Sequence, residues 1–139
     1  MFWDSSAVVP LLLPEPRSSS LSDLLARDQE PAAWWATPTE CQSALYRHHR
    51  ERPLGSAAMR AALQRLETFV EDTDTVAATE GVRRRAARVL AVHPLRAGDA
   101  LQLAAALVWC EETPDGEAFV CLDERLRAAA AKEGFDVLP

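Results

Sequence analysis

The chain has 139 residues, 48% of them hydrophobic and 26% charged, which suits one soluble globular domain with a sizeable core. A net charge of −6 excludes a basic coat for nucleic acid over the whole surface. No run of roughly eighteen uncharged apolar residues offers a membrane span.

The predicted elements alternate short apolar runs with longer helical ones. "MFWDSS" (1–6) reads as a short strand ending in a turn. The start carries Asp4 and no basic flank, so it does not read as a signal peptide, and the expected location is the cytoplasm. "SAVVPLLL" reads as a helix in which Pro10 either costs little or introduces a kink. "SSSLSDLLARDQ" follows Pro14 and Pro16, has serine caps and reads as a second helix. "AAWWAT" (32–37) is aromatic and uncharged, as a buried strand should be, with Trp34 and Trp35 as core residues.

"TPTECQSALYRHHRER" (37–52) sets Pro38 at the first helical position and Glu40 three residues after Thr37, the pattern of a capping box. Leu54, Ala58, Ala61, Ala62, Leu66 and Phe69 recur near helical spacing. "TVAA" (75–78) is a weak strand, and "EGVRRRAARVLAV" is a helix that stops before Pro94. "LRAGDALQLAAAL" (95–107) is helical and extends as far as "VWCEE". Its body is apolar except for one glutamine. "AFVCL" (118–122) is a buried strand, "DERLRAAAAKEG" a helix with Gly134 at its end, and "FDVL" a last strand. Strands alternating with helices predict an α/β domain with a parallel sheet covered on both faces. No linker or repeat divides residues 1–139.

Cys41, Cys110 and Cys121 form no CxxC pair and no zinc pattern, and read as reduced, mostly buried thiols. The basic residues are arginines apart from Lys132. They cluster in "YRHHRER" (46–52) and "GVRRRAAR" (81–88). Each cluster is either a solvated helix face or a local track for a phosphate backbone.

The acids supply the chemical signal. The first strand ends at Asp4, the second leads into the helix carrying Glu40, Asp99 opens its own helix, and "AFVCL" runs to Asp123. In an open parallel sheet the carboxyl ends of the strands and the N-termini of the following helices share one edge. Each acid taken singly is explained as a helix cap, worth about 0.5–2 kcal/mol. Four carboxylates together would repel one another, and a divalent cation relieves that repulsion. Mg²⁺ and Mn²⁺ favour oxygen ligands and can activate water beside a phosphate.

"WDSSAVV" (3–9), "TPTECQSAL" (37–45), "LRAGDALQLAAAL" and "FVCLDERLRAAAAKEGF" (119–135) together resemble the PIN-domain family, and most closely its VapC-type toxins of bacterial toxin–antitoxin pairs. The resemblance runs nearly end to end. It implies a PIN-like three-layer α/β/α sandwich with a central, mostly five-stranded parallel sheet. It implies a Mg²⁺- or Mn²⁺-dependent ribonuclease with Asp4, Glu40, Asp99 and Asp123 as catalytic and metal-binding residues, acting on a tRNA or ribosomal RNA. It also implies a VapB-type antitoxin lying in a groove beside the active site, and in many members a homodimer. Members often carry Thr two residues before the last acid, where this chain has Cys121.

In a mechanism of metal-assisted phosphodiester hydrolysis, Asp4, Asp99 and Asp123 hold the ion, and Glu40 either ligates it or orients the attacking water. Ser5 is either a partner of the Asp4 carboxylate or a plain cap. Arg96 meets a phosphate or forms a surface salt bridge. Arg47, His48 and Arg50 are the candidate RNA contacts, the histidines reading as solvated rather than as bases. Val8, Val9 and Leu11–Leu13, with part of the second helix, are the candidate lining of the antitoxin groove. The alternative function is a PIN-like binding or regulatory module with little turnover, acting through its partner. A haloacid-dehalogenase-type phosphatase needs a second Asp where this chain has Ser6, and no glycine-rich fingerprint supports a nucleotide-binding domain.

Overall fold

Phe2 and Trp3 point to opposite faces of a strand, as the two-residue period requires, and each begins a separate core. The computed structural model describes residues 1–13 and 18–139; Pro14 and Pro16 lie outside the described residues. The strands are β1 (Phe2–Trp3), β2 (Ala32–Trp34), β3 (Asp74–Val76), β4 (Ala118–Val120) and β5 (Asp136–Leu138). All neighbours pair in parallel, in the order β3-β2-β1-β4-β5.

The helices are α1 (Ser5–Leu12), α2 (Ser18–Leu25), α3 (Thr37–Glu51), α4 (Ser56–Glu71), α5 (Glu80–Val92), α6 (Ala97–Trp109) and α7 (Glu124–Glu133). Phe2, Trp34 and Phe119 pack with residues of α5, α6 and α7 on one face. Trp3, Ala33 and Val120 pack with α1, α2, α3 and α4 on the other. The expected α/β/α sandwich with a five-stranded parallel sheet is therefore the fold. Because both faces are covered, the central strands are apolar throughout rather than alternating. The edge strand β3 is largely exposed, which accounts for its weak pattern in the sequence.

Phe2 lies opposite Phe119 in the register of β1 and β4, and the two rings stack at 5.6 Å. Phe119 also meets Phe135 at 5.5 Å. The β1–β4 pairing continues one residue further, Asp4 donating its N–H to the Val120 carbonyl at 3.0 Å. Strand order reverses at this pair, which makes it the topological switch point, where open α/β sheets form their crevice.

α6 is the central support. Ala100 and Gln102 through Leu107 are all buried, so the helix is enclosed on nearly every side. It ends at Trp109, earlier than the sequence pattern suggested. Glu111 and Glu112 adopt positive φ of 51° and 63°, and the Glu112 N–H returns to the Leu107 carbonyl at 2.8 Å. Gly134 closes α7 with φ 108°, the left-handed conformation that glycine adopts without steric cost. Pro10 sits in the second turn of α1 and is buried, so that helix forgoes the bond a residue with an N–H would make there.

Trp34 is buried but Trp35 is 60% exposed, so Trp35 is not a core residue. β2 ends at Trp34, and the next side chain stands in solvent although its N–H still reaches the Val76 carbonyl at 3.0 Å. The three cysteines are free, Cys41 and Cys121 buried and Cys110 partly so. Among the described residues no helix is long and apolar enough to cross a membrane.

Leu103 is fully buried in α6. Leu103→Ala is expected to cost about 2–5 kcal/mol, measured as a fall in the urea midpoint at unchanged slope.

Candidate active site

Asp4 follows β1 directly and caps α1, its Oδ2 accepting the Ser6 N–H at 2.9 Å. The same oxygen accepts the Ser6 hydroxyl and, at 3.5 Å, the Cys121 thiol. The Ser6 hydroxyl oxygen in turn accepts the Leu122 N–H at 2.9 Å. One serine thus ties the end of β4 to the carboxylate after β1. The partner of Asp4 is Ser6, not Ser5. Ser5 lines the cleft, but its carbonyl faces the Cys41 thiol at 4.0 Å. Sequence offered a signal for this, since a cap accepts from the second or third residue of its helix.

Asp4 is 2% exposed. Burial pushes its carboxyl up to about 6, the Ser6 hydrogen bonds pull it down, and the Glu40 charge pushes it further up. Burial, with the Asp4 charge beside it, also pushes the Cys121 thiol up. That thiol remains an S–H donor where the resemblance leads one to expect a Thr hydroxyl. Burial, with Glu40 and Asp4 nearby, pushes Cys41 up to about 12.

Glu40 is half-buried in the first turn of α3. The expected capping box does not form. Ala36 occupies the cap position without a side-chain bond, and Thr37 and Glu40 both accept from the Gln102 amide, at 3.2 Å and 2.7 Å. A partner on α6, 62 positions away in sequence, displaces the local one. Asp99 lies in the first turn of α6 rather than at its cap, the cap position being that of Arg96. Asp123 caps α7, its Oδ1 accepting the N–H groups of Arg125 and Leu126 at 2.9 Å each. Arg127 braces this loop from below. It donates to the carbonyls of Cys121 at 2.7 Å, Leu138 at 3.0 Å and Pro139 at 2.9 Å.

Asp4, Glu40, Asp99 and Asp123 line one cleft of about 610 Å³, together with Ser5, Ser6, Arg47 and Gln102. Arg47 stands two turns beyond Glu40 on the same face of α3. The other candidate contacts do not join them. Arg50 and Arg96 are exposed and line no part of the cleft. His48 is partly buried, with an Nδ1 that has no partner, and also lies outside the cleft. Sequence reading passed over Ser6 and Arg127 and left Gln102 without a role.

The donor chemistry fits a hard divalent cation, since four carboxylates line the cleft. As they stand, no three acidic, histidine or cysteine side chains among the described residues are placed to share one ion. Asp4 is fixed by its hydrogen bonds. Glu40 is engaged at Oε2 by Gln102 and Asp123 at Oδ1 by its cap, so Glu40 Oε1, Asp123 Oδ2 and the half-buried Asp99 are the oxygens that could meet an ion.

No protein-family model and no curated protein sequence matches the chain. Its structure is similar to a toxin–antitoxin complex from Klebsiella pneumoniae, with TM-score 0.65 and 14% identity over 99% of this chain and 95% of that one. It is similar to FitAcB from Neisseria gonorrhoeae, with TM-score 0.68 and 15% identity over 99% and 96% of the two chains. It is also similar to a VapC toxin of Mycobacterium tuberculosis that cleaves the sarcin–ricin loop, with TM-score 0.63 and 20% identity over 92% and 93%. The likeness spans nearly the whole chain and shows the PIN-like fold.

The Asp4 carboxyl titrates at about 6 in the fold and at 3.8 when free. Between these values the folded chain holds a proton that the unfolded chain has lost, so stability falls as pH rises through this window. Asp4→Asn removes the buried charge and keeps a capping side chain. In chelator, the variant is expected to be roughly 3 kcal/mol more stable than the parent at about pH 7.5, with the gap closing near pH 4. Urea unfolding across this range measures it.

Proposed function

We propose that this protein is a metal-dependent endoribonuclease toxin of the VapC type, hydrolysing RNA phosphodiester bonds with Mg²⁺ or Mn²⁺ and held inactive by a VapB-type antitoxin. The observation that carries the proposal is the shared cleft. Four acids from four separate stretches of chain line it at the switch point of the sheet. The likeness to a sarcin–ricin loop cleaving toxin supports RNA as the substrate class, with a tRNA or ribosomal RNA as target.

Asp4, Asp99 and Asp123 would hold the cation, with Glu40 as further ligand or as base. Bound there, a divalent cation activates water and stabilises charge developing on a phosphate. The chain's own side chains do the rest. As a base, Glu40 would accept a proton from the attacking water; it stands beside the first turn of α6, where a Cβ at Gly98 would lie 4.0 Å from its Oε1. Arg47, exposed at the cleft wall, presents a guanidinium to the phosphate oxygens. Ser6 and Cys121 keep Asp4 turned toward the cleft.

A groove on the other side of α1 supports the partner reading. Leu11 and Leu12 of α1, Leu25 of α2 and Ala61 and Phe69 of α4 line a groove of about 770 Å³. An antitoxin segment with an apolar helical face suits it. Val9 lines the cleft instead, and Val8 and Leu13 are buried in the core. A homodimer belongs to the same proposal and is checked by light scattering of the isolated chain.

The second reading is the binding module, favoured by the absence of a ready-made three-ligand set among the described residues. One experiment separates the two. The purified chain, freed of any co-purifying partner, is incubated with total bacterial RNA in Mg²⁺, Mn²⁺ or EDTA, beside Asp99→Asn. Discrete fragments that require metal and disappear with Asp99→Asn are expected; identical, metal-independent patterns would favour the binding module. In the Asp99→Asn background, Arg47→Ala is expected to weaken RNA binding about three- to tenfold and to reduce its salt slope by about one.

A further inference from the structure

The apolar stretch from Ala100 to Trp109 contains one polar side chain, Gln102, and it is 2% exposed. An amide at such a position is unfavourable unless its polar atoms are paired. Its Nε2 is fully used, donating to Glu40 Oε2 at 2.7 Å and to Thr37 Oγ1 at 3.2 Å. Its Oε1 is buried with no partner. Core packing alone would be better served by an apolar residue, which would leave no oxygen orphaned.

The two acceptors explain the residue. Thr37 and Glu40 are three residues apart on α3, on one face of its first turn. Thr37 is fully buried and is the fixed end of the contact. Glu40 is half-buried at the cleft wall, with three rotatable bonds and solvent within reach. Gln102 lies three residues after Asp99, so it also links the α6 turn bearing one acid to the α3 turn bearing another.

We propose that Gln102 is a positioning residue. Its amide anchors on Thr37 and holds Glu40 Oε2 in the wall, which leaves Glu40 Oε1 as the oxygen available to a divalent cation. This rests on the metal-dependent nuclease reading and adds to it the residue that orients Glu40.

The test is Mn²⁺ binding, read by electron paramagnetic resonance on the isolated full chain, with thermal unfolding in parallel. The parent, Asp99→Asn, Gln102→Met, Glu40→Gln and the Gln102→Met/Glu40→Gln pair are compared. Gln102→Met is expected to fold and to unfold somewhat below the parent temperature, since the orphaned oxygen goes but Thr37 Oγ1 and Glu40 Oε2 lose their donor, while Mn²⁺ affinity falls about tenfold. The pair is expected to bind no more weakly than Glu40→Gln alone, because Gln102 acts through Glu40. If Gln102→Met does not fold, Thr37→Val removes the anchor and is expected to lower the affinity severalfold. Parental affinity in the folded Gln102→Met or Thr37→Val protein, or losses that add in the pair, would overturn the positioning role and leave the nuclease reading standing. A parent that binds Mn²⁺ no better than Asp99→Asn would overturn both.

Discussion

Asp4 is buried at the junction of β1 and β4, and its Oδ2 accepts from the Ser6 backbone, the Ser6 hydroxyl and the Cys121 thiol. A carboxylate taken out of water must be hydrogen-bonded or protonated. Here both responses are visible. The bonds come from the two chain segments that leave the switch point, and burial still pushes the group up to about 6. The β1–α1 turn, the end of β4 and the loop braced by Arg127 are arranged around that one group. An apolar side chain would pack there without such machinery, so the site retains a destabilising charge that the core does not require.

α6 meets the same constraint from the other side. Its apolar body is enclosed between α5 and the sheet, which makes it rigid, and rigidity at its first turn sets where Asp99 stands. The one exception to its apolar surface, Gln102, reaches across to α3. Local rules for α3 favoured a capping box between Thr37 and Glu40. Tertiary packing instead gave both acceptors a buried amide donor. A local preference worth about 1 kcal/mol yields readily when a buried partner must be satisfied.

Much of the architecture was legible because it is written in periodicity. The apolar runs at Phe2, Ala32 and Phe119, the helix ending at Gly134 and the enclosed α6 all follow from pattern and propensity, each acting over a few residues. Most misreadings fall where a neighbour distant in sequence decides. Trp35 looks like a continuation of β2, but the strand ends one residue earlier and leaves the ring in solvent. Ser5 and Ser6 are alike in type; the cap geometry of Asp4 favours Ser6, and the distant Leu122 N–H adds a further bond to its hydroxyl. Arg50 and Arg96 look as available for a phosphate as Arg47, yet only Arg47 lies on the α3 face that opens into the cleft.

The sequence by itself determined the layered α/β class, the identity of the four acids and the lone glutamine, since residue type and spacing are local properties. Tertiary structure alone decided that the acids share a cleft, that Cys121 attends Asp4 and Leu122 holds Ser6, and that Gln102 joins Glu40 to α6. The physical reason is that these contacts span tens of residues. They depend on strand order and helix packing, which a linear pattern of apolar and polar positions does not encode.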